Sequence, residues 1–102
     1  MGNLEEENKV LISRCNLTKN LGAGIFIKGN GDISVEDNSL EKNMGLGIKL
    51  LNCKKIYVTG NRMNDNLTDG GYFINCDGIV MLNSFIKNKG NGIIIETIED
   101  KT

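Results

Sequence analysis

Short apolar runs, each with a middle residue set apart from its neighbours, recur along the chain. Val10-Leu11-Ile12, Ile33-Ser34-Val35, Ile56-Tyr57-Val58 and Ile79-Val80-Met81 form one set. Ile25-Phe26-Ile27, Ile48-Lys49-Leu50, Tyr72-Phe73-Ile74 and Ile93-Ile94-Ile95 form a second. Runs this short predict strands in which the first and third side chains point to one face and the middle one to the other. Between the two sets stands an isolated apolar residue, Leu17, Leu40, Met63 or Phe85, and each second run is led by a glycine, Gly24, Gly47, Gly71 or Gly92. Asparagine precedes that glycine at Asn20, Asn43, Asn66 and Asn88, so the unit repeats every 23 residues with slips of one or two. Self-similarity at such a period predicts a solenoid of stacked coils.

Stacking at the inter-strand spacing of about 4.8 Å would set equivalent side chains upon one another. Rows Val10/Ile33/Ile56/Ile79 and Ile12/Val35/Val58 are then expected inside. Asn38, Asn61 and Asn83 share one corner, and Asn20, Asn43, Asn66 and Asn88 another, where stacked amides can bond to each other and to turn backbone. The expected organisation is a polar lead-in over residues 1–9, repeats over 10–98 and a tail over 99–102. Asn16-Leu17-Thr18 and Asn66-Leu67-Thr68 match the glycosylation sequon, but both read as corner residues.

The string I-x-V-x-x-N-x-L-x-x-N-x-x-x-G-I-x-L, clearest from Ile33 to Leu50, resembles the parallel β-helix repeat of the pectate-lyase-like superfamily. The resemblance covers Val10 to Ile98 and implies an all-β chain, a right-handed single-stranded parallel β-helix of about four coils. It says little of function, because that fold hosts many.

Composition narrows the field. Twelve basic residues face thirteen acidic ones in 102, so nothing favours a phosphate backbone and no nucleic-acid partner is expected. The acidic start, Met1-Gly2-Asn3-Leu4-Glu5-Glu6-Glu7, is unlike a secretory leader, and Glu6 stands where a myristoylation motif wants Ser or Thr. No apolar run is long enough to cross a bilayer, so no membrane partner is expected. Three cysteines without a leader predict free thiols and a cytoplasmic location. Cys53 and Cys76 occupy the same place in consecutive coils; they read as two buried thiols, with a disulfide or a metal clip as the alternatives, and Cys15 lies at another corner.

Polygalacturonase-like hydrolases of the superfamily need clustered aspartates with a Gly-His-Gly segment, and this sequence has no histidine. Its calcium-dependent lyases need carboxylates from adjacent coils, whereas the expected outward rows are Phe26/Lys49/Phe73/Ile94 and Lys28/Leu51/Asn75/Glu96. Asp65 and Asp69, with Arg62 nearby on a turn that carries an inserted residue, read as solvated turn groups, a catalytic pair being the alternative. Copper-related relatives would want His or a Met-rich run. No catalytic residue, metal or cofactor is therefore assigned.

The expected binding surface is Phe26, Lys49, Phe73 and Ile94, with Tyr57 from the partly apolar row Leu11/Ser34/Tyr57/Val80. Such a stripe predicts either a protein partner or cover by another part of a longer chain. The chain reads as the terminal part of a longer β-helix or a short product of the same gene, with end-to-end self-association as the other remedy for open ends. The overall expectation is a non-catalytic protein-interaction scaffold, an adaptor. The resemblance points to F-box proteins with β-helix repeats or to Shc-binding, spindle-associated proteins. The alternative is a carbohydrate-active β-helix or a fragment of one.

Overall fold

The structure, a computed structural model, describes residues 8–29 and 31–98. Of the expected lead-in and tail, residues 1–7 and 99–102 lie outside the described residues, and the first strand already contains Asn8 and Lys9. Eight strands follow among the described residues: β1 (Asn8–Ser13), β2 (Ile25–Lys28), β3 (Gly31–Glu36), β4 (Ile48–Leu51), β5 (Lys55–Thr59), β6 (Gly71–Ile74), β7 (Gly78–Met81) and β8 (Ile93–Glu96). Odd-numbered strands form one parallel sheet in the order β1-β3-β5-β7, and even-numbered ones a second, β2-β4-β6-β8. A third side is closed by single parallel bridges running Asn16, Ser39, Arg62, Ser84. The chain is thus a parallel β-helix of about four coils.

Left-handed residues bend the chain round at three corners among the described residues. One falls at Arg14, Asp37, Gly60 and Leu82 and another at Lys19, Lys42, Asp65 and Lys87, in all four coils, and a third at Asn52 and Asn75, in the second and third. A Cβ on Gly60 would run into Oδ1 of Asp37, so no larger residue fits there unless the aspartate moves.

The amides hold the corners. The Oδ1 of Asn61 accepts from the N–H of Asn38 at 2.9 Å and from its Nδ2 at 2.9 Å, while the Nδ2 of Asn61 donates to the carbonyl of Val35 at 2.8 Å. Asn61 repeats the pattern onto Asn83, and Cys15 opens the ladder by donating its N–H to Asn38. The second ladder runs Asn20, Asn43, Asn66, Asn88 with the same pair of bonds at each step. Asn38, Asn43, Asn61 and Asn66 are buried, a position an amide tolerates only with its donors and acceptor engaged.

The core is centred on the second and third coils: Ile33, Val35, Leu40, Ile48, Leu50, Ile56, Val58 and Met63 are buried. Two expectations about register fail. Ile56 pairs with Gly78, not Ile79, so Ile79 stacks outside on Tyr57 while Val80 turns inward over Val58. The cause is a corner one residue shorter: Cys53 and Cys76 are 23 apart, but Ile56 and Gly78 only 22. Gly78 lies so tightly on Ile56 that a Cβ would overlap its backbone, and its φ of 144° is one that side chains rarely adopt.

The second correction concerns Phe73. Ile48 pairs with Gly71 and Leu50 with Phe73, so Phe73 is inside, 2 % exposed, and Tyr72 takes the outward place. No residue is inserted on the preceding turn; Gly70 and not Gly71 is the equivalent of Gly47. Gly71 stands where the other coils carry isoleucine. A Cβ there would meet the Phe73 ring at 3.0 Å and the Phe85 ring at 3.3 Å, so the two rings fill the volume the glycine leaves.

Candidate interaction face

Alternation along β2, β4, β6 and β8 sends Phe26, Lys49, Tyr72 and Ile94 to the outside of their sheet in one row. Phe26 is 59 % exposed, and Lys49 and Tyr72 are half-buried. The Nζ of Lys49 lies 5.4 Å from the centroid of Phe26 and 5.4 Å from that of Tyr72, a cation held between two ring faces on adjacent coils. Such contacts at a wet surface contribute about 0.5–1 kcal/mol each. The Tyr72 hydroxyl donates to Glu96 at 2.7 Å, and that bond raises the phenol's pKa, with desolvation and the charges of Glu96 and Asp69 adding to it. The row next to it is Lys28, Leu51, Ile74 and Glu96, with Ile74 in the place expected for Asn75, which instead makes a left-handed corner.

Phe73 is therefore absent from this face, and Tyr57 belongs to the other sheet. Tyr72 was the residue that apolarity alone misplaced. A signal for it exists in the sequence: Asn20 to Gly24, Asn43 to Gly47, Asn66 to Gly70 and Asn88 to Gly92 are all four apart. Counting from the asparagine selects Gly70 and puts Tyr72 outside.

Tyr57 sits under the Nζ of Lys55, 5.5 Å from its ring centroid, and contact with the Tyr57 hydroxyl raises the lysine's pKa. Small Ser34 between Leu11 and Tyr57 leaves an open hollow of about 440 Å³ whose walls include Lys9, Asp32 and Glu36. A second hollow of about 480 Å³ lies at the first ladder's corner between Arg14, Asp37 and Arg62.

The other singled-out groups do not converge. Asp65 is an exposed left-handed corner, Asp69 accepts the Asn91 N–H at 2.7 Å, and Arg62 lies 3.9 Å from Glu41. Cys15, Cys53 and Cys76 are free thiols, Cys15 exposed. Burial, with neighbouring Cys76 adding to it, pushes the Cys53 thiol up to about 11, so at neutral pH it is protonated and poorly nucleophilic. Among the described residues no three His, Cys, Asp or Glu side chains are grouped to hold a metal ion.

The sequence profile described as right handed beta helix region matches residues 3–99. The chain belongs to that family. This right-handed β-helix has no match among the curated proteins and none among the solved structures. Membership fixes how the coils wind; what a right-handed β-helix of this length does must be argued from its own side chains.

Proposed function

We propose that this β-helix is a non-catalytic interaction scaffold in the cytoplasm, and that the row Phe26, Lys49, Tyr72, Ile94 is its contact with a protein partner. The observation that carries the reading is the Phe26–Lys49–Tyr72 stack: rigid aromatic surface and a cation, prearranged by stacked coils at little entropic cost. A partner segment with an apolar side chain for Phe26 and a carboxylate for Lys49 suits the row. An adaptor role of the kind held by F-box β-helix and Shc-binding, spindle-associated proteins is consistent with it. The test pairs F26S/Y72S with the parent in affinity capture from a cytoplasmic extract, followed by direct titration of the recovered partner. The variant should keep the parent's circular dichroism and lose at least tenfold in affinity; equal affinity overturns the reading.

One observation favours a carbohydrate-active alternative. The hollow beside Tyr57 has two carboxylates, Asp32 and Glu36, at its walls. Incubation with acidic oligosaccharides decides it: new chain ends lost in D32N/E36Q would favour this alternative over the scaffold.

A further inference from the structure

The amide ladders have a direction. At every step Oδ1 accepts from the N–H and Nδ2 of the asparagine one coil earlier, so acceptors face the chain's start and donors its end. Among the described residues, the Oδ1 of Asn20 has no donor and the N–H of Asn88 no acceptor. Backbone bonds repeat the arrangement. Ile25 donates to Gly47, Ile48 to Gly70 and Gly71 to Gly92, which leaves the Ile93 N–H pointing past the fourth coil and the Gly24 carbonyl pointing before the first.

The apolar rows end in the same way. Ile93 and Ile95 continue the inward rows of Ile48 and Leu50, yet they are 39 % and 67 % exposed because no described coil covers them. Ile25 and Ile27 head those rows at the other end, Ile25 already buried at 6 % and Ile27 half-buried, so the larger unmet apolar surface is the fourth coil's. A coil arriving with Ile25 over Ile93, Ile27 over Ile95 and Asn20 over Asn88 would cover the fourth coil's isoleucines and extend the ladder at once.

We propose that a second copy of this chain supplies that coil, its first coil seated on the fourth coil of its neighbour, head to tail. Two fourth coils set face to face would instead bring donor N–H groups of Asn88 together and leave both Asn20 acceptors unused. A head-to-tail contact is heterologous and does not close on itself at two chains, so the product is a rod that lengthens with concentration.

Sedimentation velocity on the 102-residue chain tests this. The expected parent result is a mass that rises with concentration beyond twice the 11.2 kDa of one chain. I95E, at a site two-thirds exposed and so compatible with folding, blocks the fourth coil; V10E blocks the first, and N20L replaces V10E should the latter lose the parent's circular dichroism. Each variant alone stays at one chain, and an equimolar mixture stops at two. A parent that keeps one mass throughout, a parent that stops at two, or an I95E chain that grows like the parent each overturns the proposal.

Discussion

The inner coils and the fourth coil set apolar side chains in the same inward rows, and those side chains live in different environments. Leu50 and Phe73 are sealed in the core, yet Ile95, the next member of their row, is two-thirds exposed; Val58 is fully buried and Val80 beneath the same sheet only half so. At the fourth coil burial falls because the row has a neighbour on one side only, so side-chain chemistry sets the row and position in the stack sets how much of it is covered.

Substitution within one row should expose this difference most strongly. Phe73→Ser removes a ring packed against Gly71 and Phe85 and is expected to cost about 3–5 kcal/mol in a urea melt, whereas Ile95→Ser should cost less than about 1 kcal/mol. Similar losses at the two sites would erase the distinction. The ladders give a second, smaller contrast. Asn61→Ala strips acceptors from Asn38 and a donor from the Val35 carbonyl in a buried setting, for an expected 1–3 kcal/mol, about the cost of stranding buried polar groups. Asn83→Ala, half-buried at the open side, should cost about half as much.

The pH dependence sharpens the comparison at the thiols. Cys53 titrates near 9.0 when unfolded and at about 11 when folded, so the unfolded chain gives up its proton first. Stability should fall as pH rises from about 9 through about 11. Cys53→Val should be flatter than the parent over that window, and coincident profiles would refute burial as the cause. The smallest effect is expected at Leu82, a left-handed residue with φ 58° where the previous coil has Gly60. Leu82→Gly should stabilise by about 0.5 kcal/mol, relief of the left-handed strain less the chain entropy of glycine.

The winding was legible because Asn, Gly and aliphatic residues recur at a fixed period, and the corner amides could be named from that spacing alone. Register in the third and fourth coils was less so. Gly70 and Gly71 both fit the glycine position, and a hydrophobic reading cannot tell Tyr72-Phe73 from Phe73-Ile74 as the pair to divide between outside and inside. The shortened corner before Gly78 leaves no residue that marks the omission. Left-handed corners at Arg14, Lys19, Lys42 and Leu82 were hidden for another reason: those residues have no preference for that conformation and adopt it where the coils are held in register by the neighbouring coil. The aromatic-cation row was visible in part, through Phe26, Lys49 and Ile94, while the hollow at Ser34 depends on which side chains stand above and below it.

The exchange of volume between Gly71, Phe73 and Phe85 bears on how such a chain could lengthen over evolutionary time. A duplicated second coil would lay Ile48 on isoleucine and Leu50 on leucine and continue the interior rows unchanged. A duplicated third coil would set one Phe73 ring over another and leave glycine over glycine beside them. Copying the second coil would therefore leave the packing of the interior rows as it is, whereas copying the third would put Met63 in place of Phe85 beside the first Gly71 and change how that volume is filled.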